Sequence, residues 1–272
     1  MYFLMPKTFK TLLALLSWGM VMAFSLPASA QTKSHLDLPA ETASNEQFLS
    51  VIFEPPTDDR ADDSRGGASR TAVKCRDDIA SATLPEQIRE IPLTALMPEN
   101  NRGLTIASHP SFFVYIPTTS ARQIYFSLKD ANNRGIYQAT LPISGNAGVV
   151  QISLPQEQNP LEIGQTYQWS VGLMCQRTQT DMPWVTGKIE RIQLEANLAS
   201  QLSPTPSLQQ AVLYGQSGLW YDLLTTLFQL NKSAGLDNLS ATDSNLLNQN
   251  WSNLLGSVGL SAIAHETLLE QP

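Results

Sequence analysis

Between residues 91 and 194 the chain alternates short apolar stretches with turn residues, the pattern of an all-β body. The stretches are 93–97, 104–107, 112–116, 124–128, 136–141, 149–154, 167–175 and 185–194. Several have period two, with Ile124, Phe126 and Leu128 on one face, and Val150, Ile152 and Leu154 on another. In the clearest, Tyr167, Trp169, Val171, Leu173 and Cys175 point one way, and Gln168, Ser170, Gly172 and Met174 the other. Asn132-Asn133-Arg134-Gly135 and residues 144–148 supply turn chemistry between strands. Seven or eight short strands at this spacing predict an antiparallel β-sandwich.

Residues 161–169 resemble the start of the F strand in fibronectin type III or immunoglobulin-like domains. That resemblance implies a tyrosine corner. The Tyr167 hydroxyl would bond backbone a few residues upstream, and Trp169 would anchor the core.

After Leu194 the period becomes helical. Ser207 is placed to cap a short helix over 208–214, which Ser217-Gly218 breaks. Leu219, Trp220, Leu223, Leu224, Leu227 and Phe228 form one wide helical stripe. Ser240-Ala241-Thr242-Asp243 has the capping-box spacing ahead of a third helix, striped by Leu246, Leu247, Trp251, Leu254, Leu255 and Val258. Helices this short are marginal alone, so the stripes are expected to pack on each other and on the sandwich as a helical hairpin.

The N-terminal pattern differs again. Lys7 and Lys10 precede an uncharged apolar run over 12–26, and Pro27-Ala28-Ser29-Ala30 ends it with small residues at the right spacing. This is the three-part pattern of a secretory signal, with Gln31 as the expected first mature residue. The run is shorter than the ~20 residues that cross a bilayer, and nothing later is apolar enough. The expected layout is a signal peptide at 1–30, a flexible polar linker at 31–74, a sandwich at 75–197 and a helical region at 198–272. The linker holds one apolar cluster, residues 48–53. Its acidic run, 58–67, lacks the alternating ligands, central Gly and closing Glu of a calcium loop.

Lys7 and Lys10 are the leader's only charges. Residues 31–272 therefore keep 15 of the 17 Lys and Arg against 24 acids, a formal net charge of −9. That balance argues against a phosphate-neutralising nucleic-acid binder and equally against a polybasic membrane-surface protein. The expected location is periplasmic or extracellular. In such a space the two cysteines, Cys75 and Cys175, are expected to form a disulfide. A metal site is the competing reading, but no C-x-x-C occurs and no His lies near either cysteine.

A second resemblance covers about residues 50–270. Its pattern begins with Phe53-Glu54-Pro55-Pro56, Gly66-Gly67-Ala68-Ser69-Arg70 and Cys75. Leu93-Thr94-Ala95-Leu96-Met97-Pro98, Gly103-Leu104-Thr105 and His109-Pro110-Ser111-Phe112-Phe113-Val114-Tyr115 follow. Pro160-Leu161-Glu162, Tyr167-Gln168-Trp169, Cys175 and Gly187-Lys188-Ile189-Glu190-Arg191-Ile192 come next. Gly218-Leu219-Trp220-Tyr221-Asp222-Leu223-Leu224, Trp251, Leu254-Leu255 and Val258-Gly259-Leu260 complete it. In this order the residues resemble the cyanobacterial domain-of-unknown-function family 928 (DUF 928). The resemblance implies a single-unit layout in a Gram-negative-type envelope, and carries no catalytic residues, substrate or cofactor. Lys188 departs from the aromatic expected after the glycine.

The residues themselves offer little chemistry. His35, His109 and His265 are too scattered for a zinc site. Gly215-Gln216-Ser217-Gly218 is one residue short of a nucleophile elbow, and Ser217 reads as a helix cap. Gly145 and Gly148 lack the rest of a phosphate loop. Glu162, Glu190 and Asp222 are the acids to examine for a two-carboxylate hydrolase, with Asp222 otherwise favouring a helix dipole and Glu190 an ion pair. Trp220, Tyr221 and Trp251 would anchor a protein partner if exposed, and core packing is the competing reading. The leading expectation is a non-catalytic envelope protein acting through protein contacts of its helical tail. A polysaccharide-binding sandwich and a carboxylate hydrolase are the alternatives. No catalytic residue, metal or cofactor is assigned.

Overall fold

A computed structural model describes residues 50–56, 74–80, 91–175, 182–236 and 241–269, and in it every apolar stretch meets a strand. The strands are β1 (Thr94–Ala95), β2 (Arg102–Thr105), β3 (Ser111–Ile116), β4 (Gln123–Asp130), β5 (Gly135–Pro142), β6 (Gly148–Ser153), β7 (Thr166–Leu173) and β8 (Trp184–Arg191). They form a three-stranded sheet, β1-β3-β6, and a five-stranded sheet, β2-β8-β7-β4-β5. This is the expected sandwich with one correction. The β2–β8 pair is parallel, with Arg102 opposite Lys188 and Thr105 opposite Arg191, so the larger sheet is mixed. Period-two patterning reports a strand's faces and not its neighbour's direction.

The inward face of the larger sheet is Ile124, Phe126 and Leu128 with Trp169, Val171, Leu173, Val185 and Ile189, all buried. Strand β3 is buried at all six positions, as its unbroken apolar run requires. Phe112 packs on Phe126 and Trp169, whereas Phe113 meets Phe228 of the helical layer. The small sheet is therefore covered on both faces. The tyrosine corner is present: Tyr167 Oη accepts a 3.0 Å bond from Glu162 N–H. Tyr167→Phe removes one such bond, so the expected loss is about 1 kcal/mol, read as a fall of roughly 2–4 °C in melting midpoint.

The helices are α1 (Arg76–Ala80), α2 (Ala196–Gln201), α3 (Leu208–Gln216), α4 (Trp220–Leu236) and α5 (Ala241–Ser257). Ser207 caps α3 by accepting from Gln210 N–H, and Gly218 ends the turn at φ 69°. The sequence pattern does not predict α2. Ser240, the expected cap of α5, lies outside the described residues, as do the signal segment, His35 and the acidic run. Leu247, Trp251, Leu254 and Leu255 turn the α5 stripe inward. Beyond α5, Val149 N–H donates to Thr267 O and Leu269 N–H to Val149 O, which occupies the free edge of β6.

Residues 50–56 correct the linker boundary. Val51 is buried and its N–H donates to Asn250 Oδ1 at 2.7 Å. Glu54 N–H bonds Gly215 O, and Phe53 packs edge-on to Trp220 at 4.8 Å between centroids. The segment is a strap across α3, α4 and α5. Gly215 admits it, because a Cβ there would stand 2.2 Å from Ile52 O. The apolar cluster at 48–53 and the start of the family resemblance at Phe53-Glu54-Pro55-Pro56 were the sequence signals for it.

Cys75 and Cys175 are joined, with Cα atoms 5.3 Å apart. The bridge fixes the α1 segment to the end of β7. Asp78 reinforces it, accepting from Thr119 Oγ1 and Ser120 N–H.

Candidate functional site

The three aromatics expected to anchor a partner are core residues. Trp220, Tyr221 and Trp251 are 0, 1 and 4% exposed. Tyr221 enters the sandwich from the first turn of α4. Its hydroxyl accepts from Trp169 Nε1 at 2.7 Å and lies 3.0 Å from Lys188 O, to which it donates. Its ring meets Phe112 at 5.7 Å. Gly103 and Gly187 make the space. A Cβ on Gly103 would stand 2.7 Å from the Tyr221 ring, and one on Gly187 2.5 Å from Trp169. Trp220 Nε1 donates to Leu96 O. Helical spacing put Trp220 on the α4 stripe and Trp251 on the α5 stripe, both of which face inward, and Tyr221 beside the first is buried with them. The helical tail therefore does not present them to a partner.

The three acids do not converge. Glu162 is exposed, and Glu190 on β8 is held by Arg102 of β2 rather than by neighbouring Arg191, which donates to Leu161 O. Asp222 lines a separate cleft of about 230 Å³ between the end of β2, the start of β3 and helices α3 and α4. Glu190 is not among the residues lining that cleft. The paired carboxylates of the hydrolase reading are not brought together. Among the described residues no group of three or more His, Cys, Asp or Glu is placed to hold a metal ion.

Asp222 Oδ2 accepts from Ile106 N–H at 3.1 Å, tying α4 to the end of β2. Burial pushes its carboxyl up to about 6 from 3.8, against opposing bonds from Thr105 and backbone N–H groups. The folded state thus holds this proton more tightly than the unfolded chain. Its contribution to stability is complete below pH 3.8 and disappears as pH rises through about 6. Asp222→Asn is therefore expected to flatten the pH dependence of the melting midpoint between about pH 4 and pH 6.5. An unchanged slope would contradict the assignment.

His109 also lines the cleft, and both its ring nitrogens are engaged. Gln158 O can only accept, so His109 Nε2 donates to it at 2.9 Å, and Nδ1 accepts from Ser108 Oγ at 3.0 Å. The histidine pins two loops together. His265 is exposed, and Ser217 is the C-cap of α3.

Another surface was not singled out by the sequence pattern. Trp184, at the start of β8, is 59% exposed, the most exposed large apolar residue described. It stands opposite Gly172, which stands opposite Tyr125 on β4. Extending the register by two residues, through the bond from Leu173 N–H to Pro183 O, sets Met182 beside Met174. Both methionines are exposed too. The result is an apolar corner on the outer face of the larger sheet, next to the disulfide. The alternation of β7 had placed Met174 outward. Trp184 was hidden because a lone aromatic at a strand start reads equally well as core.

Residues 65–268 match the family model described as Domain of Unknown Function (DUF928). The chain belongs to this family. The DUF928 match runs from before Cys75 to Leu268 at the β6 edge, so sandwich and helices together make the family's domain, and the strap at 50–56 lies before it. No curated protein matches the chain. Among solved structures it is similar to the fn3 domain of human collagen alpha-1(XX) chain, at 17% identity and a TM-score of 0.23, over 37% of this chain and 82% of that one. The sandwich assignment for this DUF928 member rests on its own strand order and register. Lys188 acts there through its carbonyl, which any residue supplies, so the departure from an aromatic leaves the bond to Tyr221 intact.

Proposed function

We propose that this chain is an exported, non-catalytic envelope protein that works through protein contacts, made by the Trp184 corner rather than by the helical tail. The carrying observation is that corner: a tryptophan 59% exposed and flanked by two exposed methionines. Tryptophan is enriched among residues that dominate binding energy, and unbranched thioether side chains adapt to varied apolar surfaces. Those properties favour a protein partner over the flat row of aromatics and amides that a polysaccharide would need. The disulfide supports export, since such bridges persist in oxidising compartments. N-terminal sequencing of the secreted chain should start at Gln31, and a retained Met1 would contradict export.

The test of contact compares wild type with a Met182→Ser, Trp184→Ser variant, each immobilised and exposed to periplasmic extract. Wild type should retain one protein reproducibly and the variant should lose it, with an unchanged melting midpoint. Retention of a glycan and no protein, or equal capture by the variant, would overturn the proposal.

A further inference from the structure

We infer that the cleft between β2, β3, α3 and α4 is a binding site for a small ligand carrying a primary ammonium group. Thr225 Oγ1 donates to Tyr221 O at 2.7 Å and Thr226 Oγ1 to Asp222 O at 2.8 Å, so both hydroxyls spend their protons on α4 and retain lone pairs. Ser111 Oγ already accepts from Gln151 Nε2. Gln210 donates Nε2 to Tyr214 Oη, while its buried Oε1 has no protein partner. Asp222 adds a negative charge, its carboxylate oxygens accepting from the Thr105 side chain and from the backbone N–H groups of Ile106, Ala107 and Asp222 itself.

Thr225, Thr226 and Gln210 thus contribute unspent acceptors to the cleft, beside the Tyr214 hydroxyl and the Gln229 amide. The cleft is also acidic without compensation, because no Lys or Arg is among its lining residues. An anion would meet no opposite charge there. A neutral polyol would find a carboxylate left without one. An ammonium brings three donors, no acceptor and the missing charge, and charge-assisted bonds are the stronger kind. At about 30 Å³ per water-sized group, the 230 Å³ cleft holds a ligand of roughly eight such groups or fewer. Tyr214, lining the same wall, is pushed up by burial and stays neutral.

The titratable groups around Asp222 are His109 from the β2–β3 loop, Tyr214 from α3 and Tyr221 from α4. His109 is held between Ser108 and Gln158, and the two tyrosines are raised by burial. Binding should weaken as pH falls through about 6, where the Asp222 carboxylate takes up its proton.

Calorimetry and thermal shift on the full chain use ethanolamine as probe, ethylene glycol as its neutral counterpart and choline as a cation without N–H donors. Ethanolamine should bind and raise the melting midpoint at pH 7.5, with at least tenfold weaker binding at pH 5. The other two should have little effect. Asp222→Asn should abolish binding, and Thr225→Val, which keeps the carboxylate, should weaken it severalfold. If Asp222→Asn does not fold, the wild-type pH dependence and Thr225→Val decide. Equal shifts from all three compounds, or ethanolamine binding that is unchanged at pH 5 or in Thr225→Val, would overturn the site.

Discussion

Tyr221→Phe is expected to be among the most destabilising single-atom deletions available in this protein. The lost oxygen accepts from Trp169 Nε1 and donates to Lys188 O, so the variant takes its acceptor from the buried indole N–H and removes one bond to the Lys188 carbonyl. A buried donor left unsatisfied costs about 1–3 kcal/mol and the lost bond to Lys188 O about 1 kcal/mol more, so the expected total is roughly 2–4 kcal/mol. For a domain of this size that is a fall of roughly 5–15 °C in melting midpoint. Tyr221→Ala should cost more, since it adds a cavity under Phe112 and beside Gly103. Melting curves of the two variants check both figures. A Tyr221→Phe midpoint within 1–2 °C of wild type would mean the hydroxyl network contributes little, against about 1–3 kcal/mol per orphaned group.

Opening the disulfide should have an effect of similar size through a different route. The bridge closes a separation of 100 residues, and strands β1 to β7 all lie within the loop. In the chain-entropy model a loop of that length contributes about 4.7 kcal/mol, and removal of native bridges from small secreted domains costs about 2–5 kcal/mol. A Cys75→Ala, Cys175→Ala chain should therefore unfold at markedly lower urea, and its unfolded state should be less compact. Denaturant titration followed by tryptophan fluorescence measures this. Matching midpoints for the two proteins would show that Asp78 and its bonds to Thr119 and Ser120 hold the α1 segment without the bridge.

The sequence announces local events well and their assembly poorly. Alternation in 167–175 defined a strand and its faces, and the resemblance of 161–169 to the start of an F strand implied a bond from Tyr167 to upstream backbone, which exists at Glu162. The pairing of two cysteines needed no geometry. By contrast, nothing local to residues 102–105 says that β2 runs parallel to β8, because direction is set by long-range packing. The stripe on α4 carried the right periodicity and was expected to pack inward, but nothing local placed Tyr221, which lies off it, inside the sandwich. Gly103 and Gly187 held that information, as positions where another side chain must come close, and a lone glycine in a strand pattern is ambiguous until its neighbour is known. Asp222 was noticed as an acid at a helix start, while the hydroxyls and amide that turn its surroundings into an acceptor-rich cleft come from α3 and two separate positions on α4.

The C-terminal helices share their core with the sandwich and leave the Trp184 corner as the surface free for contact. Native-state hydrogen exchange tests it directly. Amides of Leu223, Leu224 and Leu227 on α4 should open with the same free energy as those of Trp169 and Val171 on β7, and both sets should fall together in Tyr221→Phe. Helical amides that exchange early while the β7 amides stay protected would contradict it.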